Sequence, residues 1–323
     1  MPDPSLTSDV PKVSICVPAY NRPEGLRAAV ASVLDQTVTD LEVVVSDDSD
    51  QPQDLASVFG DARVRYHWNQ ERRGMAGNWQ HAIDLARGEF IGLLMDDDKL
   101  LPGFVERCLA VFSGEPSVGV VFSNHLISDG ARTWARPSLL VGGSYDDFLP
   151  QLLHHEPVCV SSTLMRRKVW EDVLPVPRIH TADIVLQVRA AQAGNVFHYI
   201  DEPLMTYGVG HPQLSGQPAF RDHIVELWRE LEFQPGSWEE RHRQRQLALS
   251  LLSVAAGQIQ IGNFDRAATA ATEASALGIP TRELGRHAQL IAILTRSHLA
   301  MRAAALAFRA RDRLRRWRAD IRG

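Results

Sequence analysis

The sequence predicts an α/β domain on a mostly parallel sheet, followed by an all-α region. Three observations lead there. Short apolar, β-branched runs alternate with helically spaced stretches over the first two-thirds of the chain. Several of these runs stop at polar or acidic clusters, and open parallel sheets bind ligands at the carboxyl ends of their strands. Beyond about Gln217 the chain is rich in Ala, Leu, Arg and Gln and shows no strand pattern.

Val13 to Val17 reads as the first strand and ends at Pro18-Ala19-Tyr20-Asn21-Arg22. Glu24 to Leu34 places Leu26, Val30, Val33 and Leu34 on one side of a helix. Leu41 to Val45 is a second strand and stops at Ser46-Asp47-Asp48-Ser49-Asp50. Val64 to His67 reads as a strand, and Trp79 to Ala86 as a helix. Phe90 to Met95 is another apolar run, ending at Asp96-Asp97-Asp98. Phe104 to Phe112 then has helical spacing, and Val118 to Phe122 strand spacing. Gly and Pro cluster between Ser215 and Ala219, so the expected division is an α/β domain over 1–216 and a helical domain over 217–323. Helices are expected over 221–233, 243–261, 264–277, 281–299 and 301–321, with a turn at Gly262-Asn263. That pair resembles one tetratricopeptide hairpin, but no repeat at that period follows, and a helical bundle fits equally.

With 323 residues the chain is comfortable as two domains, and 45% apolar residues supply a sizeable core. A net charge of −5 gives no reason to expect nucleic-acid binding. Cys16, Cys108 and Cys159 form neither a disulfide framework nor a zinc spacing, which suits a reducing cytoplasm. Met1 to Val10 lacks a signal-peptide pattern, and no stretch approaches the roughly 20 apolar residues of a membrane span.

The triplet Asp96-Asp97-Asp98 carries the clearest chemistry. Three adjacent carboxylates repel one another, and a folded site that gathers them needs a compensating charge. Mg²⁺ or Mn²⁺ supplies it, taking one or two carboxylates and completing its shell with water and phosphate oxygens. The alternative is a solvated acidic turn, which the placement after a buried-looking strand disfavours. Asp47 and Asp48, at the end of the second strand, can accept hydrogen bonds from a nucleobase or ribose. Tyr20 can stack on the base or simply pack.

Several segments in this order resemble family 2 glycosyltransferases, which have the GT-A fold. They are Val13-Ser14-Ile15-Cys16-Val17-Pro18-Ala19-Tyr20-Asn21-Arg22, Ala31-Ser32-Val33-Leu34-Asp35-Gln36-Thr37 and Leu41 to Ser49, then Gly77-Asn78-Trp79-Gln80-His81-Ala82-Ile83 and Gly88-Glu89-Phe90-Ile91. The resemblance spans roughly Val13 to Ser215. It implies inverting sugar transfer from a nucleoside-diphosphate sugar, assisted by a divalent metal. Pro18, Tyr20, Arg22, Asp47 and Asn78 fall on the donor side, with Asp47 in the place that meets uracil or thymine. The family's Asp-x-Asp-Asp pattern aligns with Met95-Asp96-Asp97-Asp98, so its first acid is Met95 here. Asp97 is then expected at the ribose or diphosphate, Asp98 at the metal, and Asp96 as a helper. The acceptor hydroxyl must lose a proton as it attacks, and a carboxylate within hydrogen-bond reach takes it. The family's Glu-Asp pair opening a helix matches Ala182-Asp183, making Asp183 the expected base. Read as an N-terminal helix residue, Asp183 should have its pKa kept low by the helix dipole. His211 lies in a loop, Tyr207 to Ser215, that resembles a family loop, with Gly208 where Arg is usual. It is either a diphosphate or metal contact or a surface histidine. His154 and His155 sit in a segment the family turns toward the acceptor; adjacent residues on an extended chain face apart, which argues against joint metal binding.

Met301 to Gly323 carries eight Arg and two Asp among Leu306, Phe308, Leu314, Trp317 and Ile321. This basic amphipathic pattern suits either peripheral contact with an anionic membrane surface, at its cytoplasmic face, or packing on neighbouring helices. The expected partners are a UDP- or dTDP-sugar donor and a glycan, glycolipid or small-molecule acceptor. Two other functions compete. A non-catalytic nucleotide-sugar-binding scaffold is suggested by the acids missing at Met95 and Ala182. A Rossmann dehydrogenase is disfavoured because no G-x-G-x-x-G follows the first strand.

Overall fold

The computed structural model describes residues 10–53, 60–154, 158–209 and 220–307. The chain forms two compact units, Met1–Gln213 and Leu214–Gly323.

The first unit is built on one mixed sheet. Its strands are β1 (Val13–Ala19), β2 (Leu41–Asp47), β3 (Val64–Trp68), β4 (Phe90–Leu93), β5 (Lys99–Leu100), β6 (Val118–Ser128), β7 (Thr133–Ala135), β8 (Gly143–Tyr145), β9 (Thr163–Arg166) and β10 (Val196–Gly208). The order across the sheet is β3-β2-β1-β4-β9-β6-β10-β5, with β7 on β6 and β8 on β10. β3, β2, β1 and β4 are mutually parallel, β9 runs against both its neighbours, and β10 returns parallel to β6. The three strands β1, β2 and β4 are buried on both faces, as uninterrupted apolar runs of a parallel sheet should be.

One face packs Val13, Ile15 and Val17 against Leu26, Val30 and Val33 of the helix Pro23–Leu34. Phe104, Cys108 and Phe112 of the helix Phe104–Gly114 join the same core. On the other face Cys16 donates its thiol hydrogen to the Ala82 carbonyl of the helix Gly74–Leu85 at 3.2 Å. Gln36, just past the first helix, accepts the Val105 N–H at 3.0 Å and donates to the Leu101 carbonyl at 2.8 Å. Ser32 accepts the Leu100 N–H. These bonds fix the chain where it leaves the acidic triplet.

The opposite end of the sheet is held by Glu42, 2% exposed. It accepts hydrogen bonds from Ser14 Oγ at 2.7 Å, Arg87 N at 2.7 Å, Arg87 Nε at 2.9 Å and Arg65 Nη1 at 3.0 Å. Burial works against its charge, but the donors from Ser14, Arg87 and Arg65 outweigh it and hold the carboxyl below the usual glutamate range. Removing one member of a buried, hydrogen-bonded ion pair strands the others, so Glu42→Gln should destabilise the fold by about 3–5 kcal/mol. Urea unfolding at pH 7 measures this, and a loss below about 1 kcal/mol would count against the network. Because the folded pKa is lowered, the stabilisation is present above the usual glutamate range. It fades as pH falls through the folded value, so the gap between the two proteins should close in acid.

The second unit is helical: Phe220–Glu230, Trp238–Ile261, Phe264–Ala276 and Gly285–Leu294, with a further helix from 298. Ser237 caps the long helix by accepting the Glu240 N–H, and Gly262 ends it with φ +89. Asn263 then caps the next helix, so the expected Gly-Asn turn is built. Small Ala267, Ala270, Ala271 and Ala274 let that helix lie against Leu247, Leu251, Ala255 and Ile259. The helix expected over 281–299 is instead broken twice. Gly285 takes φ +74, and the helix starting there stops at Thr295, whose hydroxyl donates back to the Ile291 carbonyl. No described helix is long and apolar enough to cross a membrane.

Candidate active site

The site is assembled where β1, β2 and β4 end. Ala19 pairs with Asp47 across the sheet, so the residues after β1 emerge beside Ser49 and Asp50. Asn21 takes φ +53, a conformation Asn tolerates better than most residues. It is held there from both sides: its N–H donates to Ser49 Oγ at 2.8 Å, and its amide exchanges two hydrogen bonds with Asp50. The turn delivers the Tyr20 N–H to Asp96 Oδ2 at 3.3 Å. It also sends the Arg22 guanidinium to Asp96 and Asp97. Tyr20, Arg22 and the acidic triplet therefore meet, with the Asp47 cluster on the far side of the same strand end.

At that far side Asp47 is fully buried. Its Oδ1 accepts the Ser49 N–H at 2.9 Å and its Oδ2 the Tyr66 hydroxyl at 2.6 Å. Asp48 accepts from Asn69 Nδ2 at 2.8 Å and from the Arg73 N–H. Asn69 also donates to Ser46 and Asn78, and Asn78 donates to the Ala19 carbonyl at 3.1 Å. Pro18 is buried within β1. Three residues expected to touch a donor thus stand behind the surface in this state: Pro18 and Asn78 brace the strand end, and Asp47 is covered by its own hydrogen-bond partners. Tyr20 is 38% exposed, and one face of its ring carries the Arg72 guanidinium at 4.0 Å rather than standing open.

The acidic triplet divides in two. Arg22 Nη1 lies 3.3 Å from Asp96 Oδ1 and 2.9 Å from Asp97 Oδ2. Asp98 is 1% exposed; its Oδ1 accepts the Gly208 N–H at 3.0 Å, and its Oδ2 makes no hydrogen bond among the described residues. Burial, reinforced by the charge of Asp97, pushes the Asp98 carboxyl up to about 7, against the pull of the Ser161 hydroxyl and the Gly208 N–H. Burial likewise lifts Asp96 to about 6, against the charge of Arg22. Gly208 comes this close because it has no side chain: a Cβ there would lie 2.3 Å from the Asp97 carbonyl oxygen. Gly25 has the same relation to the Asp96 carbonyl oxygen, so the first helix abuts the triplet directly. Met95, where the family pattern has an acid, donates its N–H to Ser161 Oγ at 3.1 Å.

Ser161 lies in the short turn Val160–Ser162 ahead of β9. That segment is pinned to the helix Ala182–Gln192 by Gln187, whose buried amide donates to the Val158 carbonyl at 2.7 Å and accepts the Val158 N–H at 3.2 Å. Asp183 opens the same helix. The charges of Asp98 and Asp183 both act on the Cys159 thiol, which burial first and these carboxylates next hold protonated. Both acids thus lie near Cys159. The expectation of a low pKa at Asp183 is overturned. Burial raises it to about 6 and outweighs the favourable N–H groups of Ile184 and of Asp183 itself.

His211, His155 and residues 308–323 of the basic tail lie outside the described residues. His154 ends the helix Leu149–His154, so it is not on an extended segment as supposed. Tyr66, Ser161, Gln187 and Gly208 hold the site from positions the sequence reading did not single out for this role. Their partners are between 19 and 110 residues away in the chain.

The sequence profile of Glycosyl transferase family 2 matches residues 14–174. Over 124 residues the chain is 37% identical to the GalNAc(5)-diNAcBac-PP-undecaprenol beta-1,3-glucosyltransferase of Campylobacter jejuni, covering 36% of this chain and 39% of that protein. Over 120 residues it is 38% identical to the chondroitin synthase of Escherichia coli, covering 36% of this chain and 17% of that one. The chain thus spans well under half the length of these curated relatives. Among solved structures, S. aureus TarS 1–349 in complex with UDP-GlcNAc superposes with a TM-score of 0.66 at 16% identity, over 93% of this chain and 92% of that one. The mannosyltransferase PcManGT of Pyrobaculum calidifontis, in complex with GDP-Man and Mn²⁺, superposes with a TM-score of 0.53 at 18% identity, over 93% and 88%. At such identities the likeness concerns the fold: the mixed, mostly parallel sheet of GT-A type, followed by helices.

Proposed function

The chain belongs to glycosyl transferase family 2, and from that premise we propose that it is a metal-assisted, inverting transferase of a sugar from a UDP- or dTDP-sugar to an acceptor hydroxyl. The observation that carries the reading is the pairing of Asp98 with Asp183. One is a buried carboxylate with an orphaned oxygen; the other is a carboxylate raised toward neutrality. Both lie close enough to Cys159 for their charges to act on its thiol.

The residues suit a divalent cation. Asp98 offers an oxygen that no described residue satisfies, and Asp97 is partly exposed beside it. One or two carboxylates are what Mg²⁺ or Mn²⁺ takes from protein when phosphate supplies the rest of the shell. When bound, such an ion stabilises the negative charge that develops on the departing diphosphate. Tyr20 and the Asp47–Tyr66 pair suit a pyrimidine base once Arg72 and the covering groups shift. Arg22 suits the diphosphate. Asp183 accepts the acceptor's proton as the hydroxyl oxygen bonds to the anomeric carbon; the bond from that carbon to the diphosphate oxygen breaks, its electron pair leaving with the diphosphate. A carboxyl near 6 is ionised at pH 7 yet basic enough for this task.

One of the named relatives, from Campylobacter jejuni, is a glucosyltransferase whose name gives a diphospho-undecaprenol-linked acceptor. This supports a glycan or glycolipid acceptor for the present chain. The unpaired cysteines suit a reducing cytoplasm. A thermal-shift series with UDP, dTDP, GDP and ADP, each with and without Mn²⁺, tests the donor side. The melting temperature should rise with a pyrimidine diphosphate plus Mn²⁺ and not with a purine one. Stabilisation by GDP alone, or by no nucleotide, overturns the assignment.

A further inference from the structure

The division of the acidic triplet suggests a role for Arg22 beyond donor contact. One nitrogen of its guanidinium bridges Asp96 and Asp97, at 3.3 and 2.9 Å. Among the described residues the third acid, Asp98, has no cationic partner, and its Oδ2 is buried and unsatisfied. A fixed positive charge therefore already stands against two of three carboxylates in the ligand-free chain. It leaves uncompensated the one carboxylate that most needs a cation.

Arg22 is well placed to come and go. Its side chain is 42% exposed, whereas those of Asp96 and Asp97 are 12% and 21% exposed. It is the residue immediately before the helix Pro23–Leu34, beyond the positive φ of Asn21, so its stem is outside the helical ladder. The carboxylates cannot follow it: Asp96 is held by the Tyr20 N–H, and the backbone of the triplet is wedged between Gly25 and Gly208.

We infer that Arg22 is a resident counter-cation that competes with the divalent ion and is drawn off the carboxylates by the donor's diphosphate, so that metal and nucleotide are taken up together. This rests on the metal-dependent donor reading above. A guanidinium bound to carboxylates opposes the entry of a dication by direct repulsion and by occupying oxygens. A diphosphate offers the guanidinium an equally good bidentate partner. Its arrival frees Asp97 at the moment the ion needs a second oxygen. Free Mn²⁺ should then bind weakly, and the nucleoside diphosphate should strengthen it through Arg22. By linkage Mn²⁺ strengthens the nucleotide equally.

The test is Mn²⁺ binding, read by the loss of the free-ion electron paramagnetic resonance signal, on the full chain with and without UDP or dTDP. Wild type, Arg22→Gln and Arg22→Lys are compared. In Arg22→Gln, Mn²⁺ alone should bind about fivefold tighter or more, while the enhancement by nucleotide falls by about the same factor. Arg22→Lys keeps the charge without the fork and should lie between. Circular dichroism melts of the free variants confirm folding, since the arginine is half exposed. If Mn²⁺ alone binds Arg22→Gln no tighter than wild type, while wild type binds Mn²⁺ with nucleotide, the counter-cation role fails and the donor reading stands. If wild type binds Mn²⁺ under neither condition, both fail.

Discussion

Asp183→Asn is expected to lower kcat by about 10²–10⁴ while leaving donor affinity within a factor of about two. The carboxylate is the group assigned to take the acceptor proton, and the amide is nearly the same shape but cannot. Since it acts on the acceptor, the affinity for nucleotide and metal should stay. The wild-type rate should carry the signature of the same group. The base works only when ionised, so kcat should climb with pH up to about 6 and flatten above it, and the limb should vanish in the residual activity of the variant. Stability separates a lost base from a damaged fold. The folded pKa of Asp183 lies above that of an ordinary aspartate, so the fold disfavours its ionised form, and this destabilisation is present at pH 7. It fades as pH falls through about 6 toward the usual aspartate range. Asn never ionises; the variant should melt at or above the wild-type temperature at pH 7 and match it in acid. A variant with near-normal kcat, or one whose pH limb is unchanged, removes Asp183 from the base role.

The reversal at Asp183 shows what local sequence carries and what it does not. A helix N-terminus is a local feature, and on that ground alone the carboxyl should sit low. Burial is a product of the tertiary fold rather than of the helix that Asp183 opens, and it decides the sign. The same contrast runs through the fold. β1, β2 and β4 were legible because each is a short apolar run with a polar stop, buried on both faces. β10 was not, because its thirteen residues include His198, Asp201, Glu202 and Pro203, with bulges that break the alternation a strand should show. β7 and β8 are three residues each and carry no period at all. In the second unit the apolar spacing of 281–299 runs straight through Gly285, and only its positive φ reveals that the chain restarts there.

The site divides along the same line. The acids at strand ends were readable, since their chemistry is stated by residue type and position. Their states of use were not. Asp47 is covered because Tyr66, nineteen residues on, donates to it. Asn78 turns its amide to the Ala19 carbonyl behind the cleft. Gly208, a departure from the family pattern when read along the chain, is required in space, where any side chain would strike the Asp97 carbonyl.

Asp98→Asn should abolish the response to metal and lower turnover by about a hundredfold or more. The three acids are not equivalent, and the expectation follows from how each is compensated. Asp96 and Asp97 share Arg22, so neutralising either leaves a cation with one carboxylate still at hand. Asp98 has the neutral donors of Gly208, at 3.0 Å, and Ser161, and a second oxygen that no described residue satisfies. In the free chain that arrangement is unfavourable: burial holds the carboxyl near 7, well above an ordinary aspartate, and the ionised form destabilises the fold. The amide keeps the shape and removes the charge. Without ligands Asp98→Asn should therefore melt higher than wild type at pH 8, with the difference shrinking as pH falls below about 7. Added Mn²⁺ with nucleotide should reverse the order, raising the melting temperature of wild type and leaving the variant unmoved. Asp96→Asn and Asp97→Asn should keep part of that metal response. If Asp98→Asn responds to Mn²⁺ as wild type does, the buried carboxylate is a structural acid and the ion, if one binds, sits elsewhere. A carboxylate kept buried without a described counter-charge at the expense of stability, beyond the end of a central strand, is an arrangement selection retains when a ligand repays it in the working state.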